Sequence, residues 1–231
     1  MIKVTSLFFL LIVLSTVSWS QKKAPKCESV EALTINYIDE VPDEYTGRIK
    51  VCYETGELSS LLTLKEGLTD GISKQWHISG GLMVEESFKM GVLDGKSRSW
   101  FESGNKQAET NYIDGKADGV SKVWYDSGNL KREAIYNNGL PNGVLTFYHD
   151  NGSREYFVSL VDGVEHGLAK TFFEDGSLSI ELVYEKGFPV GVGKEYYPSG
   201  NLKIETDYLN GEPSAYRCYS EERKLIPCEM E

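Results

Sequence analysis

Short runs of aromatic and β-branched residues alternate along the chain with polar segments that contain glycine. One run, Val-Trp-Tyr at 123–125, is followed by Glu-Ala-Ile-Tyr at 133–136, and Ser127-Gly128 lies between them. Aromatic and β-branched side chains favour strands. A Ser-Gly, Asn-Gly or Asp-Gly pair between two strands indicates a two-residue hairpin turn of type I′. The pattern predicts consecutive β-hairpins.

The glycines recur at intervals of 24 residues in three columns, which account for 21 of the 23 glycines. The first column is Gly67, Gly91, Gly115, Gly139, Gly163, Gly187 and Gly211; the second is Gly47, Gly71, Gly95, Gly119, Gly143, Gly167 and Gly191; the third is Gly56, Gly80, Gly104, Gly128, Gly152, Gly176 and Gly200. Repetition at such a period is typical of repeat architectures. We expect one hairpin per unit, with its turn at the third column.

The hairpin register predicts a ladder of charges. If Ser79 and Gly80 form the turn, residue 74 faces residue 85, and five units then place a cation opposite a glutamate: Lys74–Glu85, Arg98–Glu109, Lys122–Glu133, Lys170–Glu181 and Lys194–Glu205. Opposite charges directly across an antiparallel pair stabilise it. We interpret them as surface ion pairs, each contributing less than about 1 kcal/mol.

One unit lacks this pair, because Thr146 faces Phe157 there. Apolar neighbours surround the break, which gives the candidate partner-binding residues Thr146, Phe147, Tyr148, Tyr156, Phe157 and Val158. A large exposed apolar patch usually marks an interaction site. The alternative is that Phe157 packs across from Thr146 or under a neighbouring loop.

Two further columns are aromatic. They are Trp76, Trp100, Trp124, Tyr148, Phe172 and Tyr196, and, at the far end of the unit, Phe88, Tyr112, Tyr136, Leu160, Tyr184 and Tyr208. We expect stacked units to place each ring over the next and so to hold a thin sheet together. Carbohydrate binding along Trp76, Trp100 and Trp124 is an alternative role, provided that these rings stand exposed.

The N-terminus predicts export. Lys3 precedes an apolar run at 7–17, and Ser18-Trp19-Ser20 follows it, as in a secretory signal peptide. The run is shorter than the roughly 20 residues of a spanning helix, which argues against membrane insertion. The net charge of −11 disfavours nucleic acids and anionic membranes, which bind clustered Lys and Arg. Four cysteines in an exported chain are expected to form two disulfides.

No pattern of residues predicts catalysis, a cofactor or a metal. His77 and His149 fall in a third aromatic column with Phe101 and Tyr125, and His166 takes a polar slot before a column glycine. The slot occupied by Asp70, Asp94, Asp118 and Asn142 recurs only every second strand, roughly 9.6 Å apart. Calcium ligands lie at about 2.3–2.6 Å, so these residues cannot share an ion. We expect them to serve as turn residues that tolerate left-handed backbone geometry.

The unit resembles the MORN repeat (membrane occupation and recognition nexus) in its bacterial variant form. The pattern is Gly115-Lys116-Ala117-Asp118-Gly119, then Trp124-Tyr125, then Ser127-Gly128-Asn129-Leu130. The resemblance implies an all-β fold: an elongated, single-layer antiparallel sheet of consecutive hairpins. The expected organisation is a signal peptide (1–20), an N-terminal cap segment (21–46), MORN-variant hairpin repeats (47–211) and a C-terminal capping hairpin (212–231).

Such a sheet, about 65–70 Å long, separates the two termini. A disulfide needs Cα atoms within about 7 Å, which leaves Cys27–Cys52 and Cys218–Cys228 as the feasible pairs. We expect Cys218 and Cys228 to replace the next pair of the charge ladder.

Three functions stay open at this point: two follow from the resemblance, and the third follows from the aromatic column that begins at Trp76. The first is a non-enzymatic protein-interaction or envelope scaffold, periplasmic or extracellular, whose partner is another protein. Bacterial proteins with such repeats are often labelled antitoxin-like, so the second is neutralisation of a toxic protein. The third is carbohydrate binding.

Overall fold

The computed structural model describes residues 24–35 and 41–228, so the predicted signal peptide lies outside the described residues. A short 3-10 helix, η1 (Cys27–Ser29), precedes twenty strands of a single sheet. The strands are β1 (Leu33–Thr34), β2 (Gly47–Cys52), β3 (Leu58–Lys65), β4 (Leu68–Thr69), β5 (Gly71–Trp76), β6 (Leu82–Lys89), β7 (Val92–Trp100), β8 (Lys106–Ile113), β9 (Lys116–Ala117), β10 (Gly119–Trp124), β11 (Leu130–Asn137), β12 (Leu140–Pro141), β13 (Gly143–Tyr148), β14 (Arg154–Val161), β15 (Val164–Phe172), β16 (Leu178–Glu185), β17 (Phe188–Tyr196), β18 (Leu202–Leu209), β19 (Glu212–Tyr219) and β20 (Leu225–Ile226).

The strands pair in chain order, each antiparallel to the next, so the predicted sheet of consecutive hairpins is confirmed. The short strands β4, β9 and β12 continue β5, β10 and β13 across one interrupting residue. One pairing differs from the expected architecture: β1 lies parallel to β2 at the N-terminal edge. This parallel strand belongs to the cap segment and not to a repeat.

The type I′ turns are at the first glycine column, so their predicted location is wrong. Asp114 and Gly115 both have positive φ, 48° and 78°, and Ile113 pairs with Lys116 around them. At the third column only the glycine does so: Gly128 has φ 93° and donates its N–H to Tyr125 O at 2.9 Å. Residues 126–128 therefore form a three-residue loop, a turn followed by a glycine in the left-handed region.

The predicted register is nevertheless correct, because two displacements cancel. A three-residue loop moves the pairing by one position relative to a two-residue loop, so that Trp124 pairs with Leu130. The next pair is Val123 with Arg132, which leaves Lys131 as an extra, bulged residue that restores the register. Beyond the bulge Lys122 faces Glu133, as the charge pattern predicts.

Successive side chains point to opposite faces of the sheet. The ladder face carries Lys122, Glu133 and their equivalents. The opposite face carries a row of mostly small, buried residues: Ser73, Ser121, Ala134, Val158, Ala169 and Thr206, each at most 7% exposed. The second-column glycines lie opposite the far aromatic column, for example Gly119 opposite Tyr136. Tyr184 of that column packs against the buried cluster of Val158, Leu160 and Ala169, so the rings help to bury the small row.

Both predicted disulfides are present and staple the two ends of the sheet. Cys27 and Cys52 have Cα atoms 5.9 Å apart, and Cys27 packs with Ala24, Leu58 and Trp76 in a buried cluster. Lys50, only 7% exposed, donates from Nζ to the carbonyls of Cys27 and Val30, both at 2.7 Å. The N-terminal cap is thus bound to the sheet covalently, by packing and by hydrogen bonds.

The C-terminal staple joins Cys218 and Cys228, whose Cα atoms lie 5.3 Å apart. These cysteines do not replace a ladder pair, contrary to expectation. A register shift in β18–β19 brings Arg217 opposite Glu205, and Cys218 therefore points to the opposite face. No helical segment of the described residues has the length and apolar character that a bilayer crossing requires.

Candidate interaction surface

The charge ladder runs across the sheet from strand to strand, with ion pairs both within hairpins and between neighbouring hairpins. Glu85 faces Lys74 on one side and Arg98 on the other, at 3.0 and 2.9 Å, and Arg98 also reaches Glu109 at 3.2 Å. The row continues through Lys122 and Glu133, then Lys170 and Glu181, to Glu205 and Arg217. The sequence predicts opposite charges facing each other only within hairpins. The structure shows the same alternation of charge between neighbouring hairpins as well.

One predicted ion pair is replaced. Lys194 and Glu205 are backbone partners, but Glu205 Oε2 accepts from Arg217 Nε at 2.9 Å and from Tyr219 Oη at 3.1 Å. Arg217 also binds Asp207 through both terminal nitrogens, at 2.6 and 3.1 Å. This cluster closes the ladder at the C-terminal end of the sheet.

Three ladder carboxylates, those of Glu85, Glu109 and Glu205, have lowered pKa values. For Glu85, burial raises the pKa, but hydrogen bonds and charge from Lys74 and Arg98 outweigh it, and the net pKa lies below 4.5. The hydrogen bond from Lys106 lowers the pKa of Glu109, and that from Arg217 lowers the pKa of Glu205. These three glutamates are therefore ionised throughout the neutral range.

The structure separates the six candidate partner-binding residues. Thr146, Tyr148 and Phe157 lie on the ladder face, whereas Phe147, Tyr156 and Val158 lie on the opposite face, since adjacent residues alternate. Thr146 and Val158 are buried, at 8% and 2% exposed. Burial raises the pKa of Tyr156 to about 12. The six do not form one exposed patch, and their role in binding stays a prediction.

The break in the ladder has its own packing. Phe157 lies 6.1 Å from Phe172 between ring centroids, and the Arg154 guanidinium lies 5.8 Å from the Phe157 ring. Thr146, directly opposite, is much smaller. The break is therefore an uncharged step in the middle of the ladder, with a large side chain beside a small one.

Sequence reasoning missed an exposed apolar row on the ladder face. We call it the apolar strip: Val120, Ile135, Val144, Leu168, Val183 and Val192, each two residues along its strand from a position of the ladder row. Its members other than Leu168 are 40–49% exposed. Only Ser159 interrupts it between β10 and β17. Alternation of apolar and charged residues within these strands was the signal that could have revealed it.

The aromatic column that begins at Trp76 is not a stack of rings, contrary to expectation. Equivalent residues recur every second strand, about 9.6 Å apart, and a residue of the intervening strand lies between them. Lys106, for example, lies 5.2 Å from the Trp124 ring centroid. Trp76 is buried, and Trp100 and Trp124 are half-buried, so the exposure that carbohydrate binding requires is not met.

The third aromatic column joins successive units by hydrogen bonds. Tyr125 Oη donates to the carbonyl of Tyr148 at 2.8 Å, and His77 Nε2 lies 3.0 Å from the carbonyl of Trp100 in the equivalent position. His149 occupies the same column, and His166 is exposed. His77 is thus used in the same way as the tyrosine of another unit.

The acidic slot also joins units, although not by the predicted backbone geometry. The backbone of Asp70 does not have positive φ. Instead, Asp70 Oδ2 accepts a hydrogen bond from the N–H of Met90, the first residue of the next type I′ turn, at 3.1 Å. Asn142 Nδ2 donates to Asp162 at 2.8 Å. At the opposite ends of the strands, Asn129 Nδ2 donates to the carbonyl of Asp150 at 2.6 Å. Hydrogen bonds therefore join successive units at both ends of the hairpins.

Four segments of the chain match the family described as MORN repeat variant: residues 93–114, 117–138, 165–186 and 189–210. The interval between the second and third segments contains Thr146 and Phe157. No curated protein matches the chain.

Two similar solved structures are those of a mutant of S. aureus TarM in complex with fondaparinux, alpha-GlcNAc-glycerol and UDP, and of TarM. The first has 19% identity over 41% of this chain and the second 20% over 42%, each with a TM-score of 0.29. The matched region spans 19% of the length of either TarM chain. These likenesses carry no argument about function.

Proposed function

Because the chain contains tandem MORN-variant repeats within one continuous sheet, we propose that it is an exported, non-enzymatic scaffold that binds another protein through its ladder face. The observation that carries the proposal is the apolar strip. Five valine and isoleucine side chains at 40–49% exposure lie in one row of the sheet. Apolar residues on an ordinary surface are scattered singly, whereas such a row is typical of an interaction site. The flanking ladder supplies charges that give such a surface specificity.

The cysteines support the export part of the proposal. All four are paired, and each disulfide closes one end of the sheet. Disulfides persist in oxidising compartments and are rare in the cytosol. Together with the apolar N-terminal run, they favour a periplasmic or extracellular location.

Export is tested by isolating the protein from cell fractions and determining its N-terminus by mass spectrometry. We expect a chain that begins after residue 20 and has both disulfides intact. A full-length, reduced protein in the cytosol would contradict this part of the proposal.

Binding is tested by capture from native envelope fractions. Val144→Glu places a charge in the centre of the apolar strip, where Val144 is 47% exposed. The matched control is Ile78→Glu, at a 65% exposed loop position outside the strip. We expect Val144→Glu to remove the captured protein and Ile78→Glu to retain it. Equal capture by both folded variants would show that the strip is not the binding surface.

A further inference from the structure

We propose that the apolar strip and the ladder form the interface of a homodimer, in which the ladder faces of two copies of this chain pack against each other around a two-fold axis between β13 and β14. This inference rests on the proposed function and deepens it: it names a second copy of this chain as the protein that the ladder face binds. The observation that supports it is the alternation of positive and negative residues along the ladder. When a second copy is placed over the first with its strands in reversed order, each charge can face an opposite charge.

A two-fold axis that runs parallel to the strands reverses their order in the second copy and keeps each row over the same row. With the axis between β13 and β14, Glu133 faces Lys170 of the second copy, and Lys122 faces its Glu181. Glu109 then faces its Lys194. Each of these contacts occurs twice by symmetry, as in any isologous interface.

The break in the ladder selects this axis over its alternatives. An axis on top of any strand places like charges over each other, which costs several kcal/mol at an interface. Other axes between strands preserve alternation but place charged residues over Phe157 and Thr146. Only the axis between β13 and β14 places the uncharged step of one copy over the uncharged step of the other, so that no charged residue lies over Phe157.

The apolar strip is centred close to the same axis. Ile135 of one copy then faces Leu168 of the other, Val120 faces Val183, and Val144 faces Ser159. Face-to-face sheets pack within about 30° of each other, about 10 Å apart, with interdigitating side chains. Because each sheet is twisted, contact is concentrated on the central strands, where the strip lies.

The area suffices for a dimer. The eight strands β8, β10, β11 and β13–β17, about 4.8 Å apart and about 20 Å long, present about 770 Å² per copy. Two copies together would bury about 1,500 Å², within the range of about 1,200–2,000 Å² for specific interfaces.

The test is sedimentation equilibrium of the purified, disulfide-bonded protein over a wide range of concentration. We expect a reversible dimer. Glu133→Lys places like charges at both symmetry-related contacts, as does Lys170→Glu, so each variant alone should dissociate at least about tenfold more readily. Glu174→Lys, at an exposed hairpin tip, changes the same charge outside the interface and should dimerise like the parent protein.

Mixing the two variants separates an interface effect from a folding effect. In a heterodimer of Glu133→Lys with Lys170→Glu, both contacts again pair opposite charges, so the mixture should dimerise although neither component does. Glu133→Lys mixed with Lys194→Glu retains a Lys–Lys contact and should stay monomeric. A parent protein that is monomeric throughout, single variants that dimerise normally, or equal rescue by both mixtures would overturn the inference.

The outcome is distinguishable from failure of the proposed function. If the parent protein is monomeric but Val144→Glu loses a captured protein, the dimer is refuted and the scaffold proposal stands. If the parent protein dimerises as expected while capture is insensitive to Val144→Glu, the dimer stands and binding of other proteins must use another surface.

Discussion

The two disulfides should contribute differently to stability, although both close an end of the same sheet. We consider two double variants, Cys27→Ala with Cys52→Ala and Cys218→Ala with Cys228→Ala. The bonds join residues 25 and 10 positions apart, respectively. In the chain-entropy description, these loops correspond to about 3.5 and about 2.8 kcal/mol of the free energy of unfolding. Loop length alone therefore predicts similar losses.

The packing at the two ends separates the variants. Cys27 is 6% exposed within the cluster of Ala24, Leu58 and Trp76, and its carbonyl accepts from the buried Lys50 ammonium. Loss of this bond releases the cap from β2, β3 and β5 together. The whole loss estimated from the loop length should therefore appear in the free energy of global unfolding. β20, by contrast, pairs with β19 at only two positions. Loss of the Cys218–Cys228 bond should open the last strands locally and leave the central repeats unchanged.

Urea denaturation followed by circular dichroism measures the first effect, and hydrogen exchange read by mass spectrometry measures the second. We expect the N-terminal variant to lose about 3.5 kcal/mol. The C-terminal variant should keep the parent midpoint while residues 212–226 lose protection. Equal losses of global stability, or a larger loss in the C-terminal variant, would refute the argument from packing.

Three further outcomes follow from single contacts. Gly67→Ala should destabilise the protein more than Gly128→Ala in urea denaturation. Both positions have positive φ, which costs about 1–2 kcal/mol for alanine. A Cβ at Gly67 would also overlap the carbonyl oxygen of Asp43, whereas a Cβ at Gly128 meets open space. Tyr125→Phe should cost about 1 kcal/mol, because the carbonyl of Tyr148 loses its 2.8 Å donor; no change in the unfolding midpoint would contradict this role. The ladder glutamates with lowered pKa values bind protons more weakly in the folded state, so their stabilisation is complete above their unfolded pKa of 4.5. Thermal midpoints should be constant near neutral pH and fall as the pH drops below 4.5 through the folded pKa values; a midpoint insensitive to acid would argue against the ladder.

The sequence alone determines the repeat, the hairpin order and the strand register. Glycine is the residue that most readily adopts positive φ, so a 24-residue glycine period fixes where the chain turns. The charge columns fix which residues face each other, as Lys122 and Glu133 show. The disulfide pairing followed from the same linear architecture, because only cysteines at the same end can meet.

The type of each turn was not determined by the local sequence. Ser127-Gly128 has the composition of a two-residue turn but forms part of a three-residue loop, because the Lys131 bulge restores the register further along the strand. Asp70 precedes a glycine but accepts a hydrogen bond from the next unit. Both outcomes depend on neighbouring strands and units, which a single hairpin does not contain.

Only the tertiary structure decided which residues share a surface. Thr146 and Phe147 are adjacent in the sequence and lie on opposite faces, whereas Val120 and Val192 are distant in the sequence and lie in one row. Periodicity gives the face of each residue within its strand. The rows that cross the sheet require the pairing between hairpins as well, because a surface forms only when strands from separate units are placed side by side.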